Sequence, residues 1–159
     1  MIRVASLFAR RAKERTRMRI LCISAQKPDS TGSGVYLAET VRSMLAAGQE
    51  VSVIAGIDCD DAPEIPAGAA FYPVRFRTPE LPFAVCGMSD VMPYDATRYR
   101  DMTPDMVAAF RAAFRNRIRE VLLTFKPDAV VCHHLYLVCS VACDVLDELA
   151  GENWSQGWK

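Results

Sequence analysis

No stretch of this 159-residue chain approaches the ~20 consecutive apolar residues of a membrane-spanning helix, so none of it is expected to cross a bilayer. Net charge is missing too. The 19 Lys and Arg balance the 19 Asp and Glu, which excludes a nucleic-acid protein working by bulk phosphate neutralisation. Histidine is scarce, with two residues, and the six cysteines come without an export signal. That pattern points to reduced thiols in a cytoplasmic chain. What is present is ordinary for a globular protein: 51% hydrophobic and 24% charged residues, one domain's worth of chain with room for a core. Disorder and a disulfide scaffold are thereby excluded.

The charge is unevenly spread. Residues 1–17 hold six Arg or Lys and one Glu, a balance of +5. Three readings of this basic leader stand side by side. It is Arg-rich and almost free of acids, like an organellar transit peptide. It has a short apolar contact in Ile2, Val4, Leu7 and Phe8, enough for at most a peripheral membrane contact. It also precedes Met18, which stands directly before a strong strand, as an extra leader outside the fold would.

From Met18 the pattern becomes regular. Arg19 to Ala25 is a near-continuous apolar run, the signature of a strand buried on both faces. A turn-rich stretch from Gln26 to Gly34 follows, then helical spacing from Val35 to Leu45, and Gly48 just past the helix end. Val51 to Ala55 reads as the next strand, which completes a βαβ unit and implies a parallel sheet. Residues 57–69 read as an acidic surface loop. Ala70 to Phe76 is a third strand, placed near an edge because Pro73 cannot donate to a ladder. Thr78 to Arg100 is a long irregular stretch rich in apolar residues, the kind of loop that covers something.

Thr103, Pro104 and Asp105 then open the clearest helix, whose apolar stripe runs from Met106 to Phe125. Arg111, Arg115 and Arg119 recur on another face, as either a solvated face or an anion-binding ridge. Asp128 to His133 is a fourth strand, read as buried, and Leu135 to Leu149 a last helix. The fold class is therefore α/β: a single Rossmann-like domain with a doubly wound, mainly parallel sheet over residues 18–150, followed by an irregular 151–159 tail. In such sheets ligands bind beyond the carboxyl ends of the strands.

Two positions qualify. In the Gly32-Ser33-Gly34 loop, glycines let backbone N–H groups approach a ligand, and the helix N-terminus behind them favours negative charge. It is neither a dinucleotide fingerprint, since Leu37 takes the third glycine position, nor a P-loop, and Gly56 and Ile57 end the second strand without a ribose-binding acid. A purely structural turn fits the loop as well. The other position is His133-His134 at a strand's carboxyl end, where ligand-facing residues concentrate. Cys139 and Cys143, one helical turn apart, read as buried small residues rather than metal ligands, and no metal site is expected. Asp58-Cys59-Asp60 reads as a chance D-x-D, and no G-x-S-x-G elbow supports a hydrolase.

Taken in order, Arg19 to Ser24, the glycine loop before a helix, Gly48 to Val53 and Lys126 to His134 resemble the N-terminal domain of a family 4 glycosyltransferase of the GT-B fold. Leu81 to Phe83 and Met88 to Tyr94 are similar to a bacterial subgroup. The resemblance implies the acceptor-side half of an enzyme that moves a sugar, with retention, from a nucleotide-sugar donor to an acceptor hydroxyl. No cofactor beyond that donor is implied. It also implies that Gly32, Ser33 and Gly34 approach the donor diphosphate and that His133, five residues after the strand's Asp128, is the catalytic residue near the reacting sugar. His134 is a second substrate-binding candidate, because the family's other histidine position holds Val131 here.

The family continues into a second, donor-binding domain, which is the expected partner, whereas residues 151–159 are polar, with two Trp and no periodicity. Since one wall of a cleft cannot preorganise both substrates, the chain alone is expected to be an incomplete transferase. The alternatives are a stand-alone binding module for a phosphorylated or nucleotide ligand, and an inert truncated remnant.

Overall fold

A computed structural model of the chain describes residues 17–151. The basic leader up to residue 16 and the tail from residue 152 lie outside the described residues. The elements run β1 (Arg19–Ser24), α1 (Gly32–Ala46), β2 (Glu50–Asp58), β3 (Ala70–Phe76), β4 (Cys86–Gly87), β5 (Thr97–Arg98), a 3-10 turn (Tyr99–Asp101), α2 (Pro104–Phe125), β6 (Ala129–Cys132) and α3 (Leu137–Gly151). The main sheet has the order β3-β2-β1-β6, and every pair in it is parallel. The α/β fold with a single Rossmann-like sheet is thus as the sequence predicts.

Alternation along β1 sorts the core into two layers, because successive side chains of a strand point to opposite faces. Leu21 and Ile23 face Ile54, Val74 and Phe76 together with α2 and α3. Ile20 and Cys22 face Val51, Val53 and Leu37 and Val41 of α1. Phe76, Phe110 and Phe114 are fully buried and in mutual ring contact, with Phe110 and Phe114 centroids 4.5 Å apart. Burying each such side chain is worth roughly 2–3 kcal/mol, which makes this the larger of the two layers energetically.

The helices start where the chain offers caps. Thr31 accepts from the Gly34 N–H at 3.1 Å, and Thr103 accepts from the Met106 N–H at 3.3 Å. Two arginines of the ridge on α2 are paired across to the neighbouring α3, Arg111 with Asp144 and Arg115 with Glu148, with their side chains still partly exposed. Both helices descend in the same direction, so an i, i+4 repeat on one meets an i, i+4 repeat on the other.

Three element boundaries differ from the sequence reading. The strand β2 runs on through Gly56 and Ile57 to Asp58, so it does end on an acid. Gly56 permits this extension, since a Cβ there would collide with the carbonyl of Ala25, the residue just after β1. The last strand, β6, is an edge with all four residues half-buried, not a buried strand. The stretch after β3 is partly ordered: β4 and β5 pair in parallel, and Leu81, Val85 and Cys86 are buried against the main core.

Candidate functional site

The strand order fixes where a site can form. From β1 the chain moves outward to β2 and β3, then returns across β1 to place β6 on its other side. The reversal leaves a crevice between the carboxyl ends of β1 and β6, the topological switch point where α/β sheets bind ligands. The loop of residues 25–31 leaves β1 there, and residues 133–136 leave β6 there. Both sequence candidates, Gly32–Gly34 and His133–His134, belong to this end.

On the β1 side a chain of hydroxyls orients a buried amide. Thr31 and Ser33 hydroxyls lie 2.8 Å apart, and the Ser33 hydroxyl donates to Gln26 Oε1 at 2.8 Å. The Gln26 backbone N–H is held by Ser24 Oγ at 3.1 Å. Gln26 is only 2% exposed, yet its Nε2 has no partner. A buried donor without an acceptor costs ~1–3 kcal/mol, so this amide is set for something that supplies an oxygen. Sequence reading passed over Gln26, because a polar residue just after a strand looks like the start of a loop.

The glycines divide in role. A side chain at Gly32 would meet nothing within 4 Å, which leaves the first turn of α1 open. A Cβ at Gly34 would stand 2.8 Å from the Lys27 carbonyl oxygen and 2.9 Å from the Asp29 nitrogen. Gly34 therefore packs the helix against the 27–29 backbone.

On the β6 side, the His133 N–H donates to the Ile23 carbonyl at 2.8 Å and extends the β1–β6 ladder by one rung. Its ring stands edge-on to Tyr36 of α1, centroids 5.8 Å apart, so the loop after β6 meets the start of α1. His133 Nε2 and His134 Nδ1 are both buried and unpartnered. His134 takes a left-handed backbone, φ 68°, a conformation that costs a non-glycine residue energy and recurs at ligand sites. Burial holds both imidazoles below the usual histidine range, and for His133 the neighbouring His134 adds to it, so both are neutral at pH 7. A neutral imidazole presents one donor and one acceptor nitrogen. Around them Tyr36, Leu135 and Tyr136 are exposed, Leu135 at 92%, and Tyr136 stacks on Tyr99 with centroids 5.4 Å apart.

Next to the crevice lies a charge cluster that sequence reading missed. Lys27 Nζ is 2.9 Å from Asp58 and 2.7 Å from Asp61, and sits 4.9 Å from the Tyr94 ring centroid. Burial pulls the ammonium pKa down, but its hydrogen bonds to Asp61 and Asp58 outweigh it and leave Lys27 above its ordinary value. Asp58 also accepts from the Val85 N–H at 3.2 Å and pairs with Arg77 at 3.5 Å. The apparent D-x-D thus ties three loops together at the carboxyl end of β2, through its first acid. Saturated in this way, Asp58 is not available to a ribose or a metal. Among the described residues no group of three His, Cys, Asp or Glu is placed to hold a metal ion.

The cysteines also depart from expectation, since Cys139 is half-buried and Cys143 exposed rather than both lying in the core. What the crevice offers chemically is a set of unpaired neutral donors and acceptors, an open helix N-terminus and aromatic walls. No family model matches this chain, and no curated protein shows significant similarity to it.

Proposed function

We propose that the chain is the acceptor-side domain of a cytoplasmic, nucleotide-sugar-dependent glycosyltransferase, with the β1/β6 crevice as its ligand site. The observation that carries this reading is that Gln26, His133 and His134, on the two loops that leave β1 and β6, each hold a buried polar atom without a partner. Sugars and phosphates are dense in oxygens that would satisfy them. The resemblance of the Arg19–Ser24, Gly32–Gly34 and Lys126–His134 segments to family 4 transferases supplies the reaction class.

In this reading Gly32 and Ser33 offer backbone N–H groups at the helix N-terminus to the donor diphosphate. His133, neutral and buried, acts beside the reacting sugar, and His134 orients acceptor hydroxyls. Gly34 shapes the loop. The opposing donor-binding domain is the partner that completes the cleft.

Calorimetric titration with nucleoside-diphosphate sugars tests the reading. We expect a saturable isotherm for at least one of them, weakened about tenfold in His133→Ala and in Gln26→Leu, one hydrogen bond's worth each, with little change in melting temperature. Full affinity in both variants, or no isotherm with any sugar nucleotide, overturns it.

A further inference from the structure

We propose that Tyr94 is a specificity-determining residue of the crevice, whose hydroxyl takes a neutral hydroxyl group of the bound ligand rather than its phosphates. Only the identity of that ligand rests on the transferase reading. The 94–99 segment touches both loops of the crevice on the side of α2 and α3. Its Tyr94 ring lies over Lys27, in the loop that leaves β1, with Nζ 4.9 Å from the ring centroid. Tyr99 stacks on Tyr136, in the loop that leaves β6. Both tyrosines pack against the core layer under α2 and α3, whereas Tyr36 belongs to α1 on the opposite face of the sheet and meets His133 from there. The segment is thus a further wall of the crevice.

The wall is firmly seated. The Thr97 N–H donates to the Val85 carbonyl at 3.1 Å, and the Val85 N–H donates in turn to Asp58 at 3.2 Å. Asp95, next to Tyr94, is paired with Arg77. Gly87 lets the segment close in, since a Cβ there would stand 2.7 Å from Met92 and 2.9 Å from Ala96. A segment held at so many points cannot turn cheaply to find new partners, yet the hydroxyl that Tyr94 buries has none. Buried polar groups in folded proteins are normally matched, so an exception fixed in place this way calls for a partner from outside the chain.

Charge decides what that partner is. Burial pushes the phenol up to about 12, against the pull of the Lys27 backbone beside it, so at pH 7 it is a neutral O–H that can donate and accept. The cations beside it are already matched, Lys27 by Asp58 and Asp61, and Arg77 by Asp58 and Asp95. A phosphate at this wall would face three carboxylates against two cations, whereas the first turn of α1 offers it backbone N–H groups and a positive dipole. A ligand hydroxyl carries no charge to repel, and it can both accept from Tyr94 and donate to it. The crevice therefore divides its work, with anions at α1 and a polyol at Tyr94.

The test compares two probes, nucleoside-diphosphate sugars and inorganic pyrophosphate, on wild-type, Tyr94→Phe and His133→Ala. Calorimetry is expected to show Tyr94→Phe weakening the sugar nucleotide about tenfold, one hydrogen bond's worth, and leaving pyrophosphate unchanged, while His133→Ala weakens both. Thermal unfolding of Tyr94→Phe without ligand is expected to match wild-type or exceed it, because the lost hydroxyl leaves no group unmatched. A lower melting temperature would mean an internal partner and overturns the proposal, as does equal weakening of both probes. Full affinity for the sugar nucleotide in Tyr94→Phe, with a loss in His133→Ala, overturns the role of Tyr94 alone. No binding of any sugar nucleotide overturns the transferase reading with it.

Discussion

The two ends of the sheet differ in how fully their polar groups are partnered. At the amino end the strand openings are tied off. Asp128, 1% exposed, accepts the Arg19 N–H at 2.8 Å on its carboxylate, while its own N–H donates to the Arg19 carbonyl at 2.7 Å. Gln49 accepts the Met18 N–H at 2.7 Å, and the Glu50 N–H donates to the Met18 carbonyl at 2.9 Å. At the carboxyl end Gln26, His133 and His134 each keep a buried polar atom without a partner, and Leu135 and Tyr136 stand in solvent. The amino end has such features too, since Ser52 Oγ is buried without a partner and Lys126 takes a left-handed backbone, but it carries fewer of them.

Substitutions at the two ends should therefore separate stability from binding. The largest effect is expected from Asp128→Ala, which removes a buried carboxylate from a charged partner and a backbone donor: about 3 kcal/mol lost in urea unfolding. A loss under about 1 kcal/mol, within the range of an ordinary surface change, would break the contrast. Gly34→Val comes next, at about 2 kcal/mol, because its side chain must displace the 27–29 backbone. Gly32→Ala, facing open space, should stay within about 0.5 kcal/mol, so equal costs for the two would contradict their division of roles.

Acid sharpens the comparison. His133 and His134 titrate below the unfolded value near 6.5, so the unfolded chain binds more protons as pH falls past that point. Stability from this source is complete above pH 6.5 and is lost progressively below it. Asp61, held low by Lys27 against the opposing effect of burial, adds a second loss that begins only near its unfolded value of 3.8. Unfolding curves at pH 7 and pH 5 should differ in wild-type and converge in the His133→Ala, His134→Ala double variant. His133→Ala alone is expected to change folding by no more than about 1 kcal/mol, since the ring leaves no partner unsatisfied.

How far the sequence was legible follows the same division. The strands and helices came from period and caps: β3 spans Ala70 to Phe76, and α2 begins behind Thr103, as the pattern predicts. Boundaries failed where tertiary contact overrides local signals. Gly56 looked like a strand end, yet it is the residue that lets β2 pass close to β1. Arg111 and Arg115 looked like a free ridge, because their acidic partners lie 33 positions away. Within the site, the histidines and the glycine loop were visible as motifs. Gln26, Lys27 and Asp58 were not, since their meaning depends on which loops the topology brings to one end.

The most direct measurement is an amide-resolved NMR titration with inorganic pyrophosphate, which asks only where the chain takes an anion. Shifts concentrated at Gln26, Gly32, Ser33 and the 133–136 loop, saturating at about tenfold higher pyrophosphate in His133→Ala, are the predicted result. Shifts confined to the groove lined by Arg75 and Arg117 beside β3, or none at all, would contradict the claim that the open end of the sheet is the ligand site.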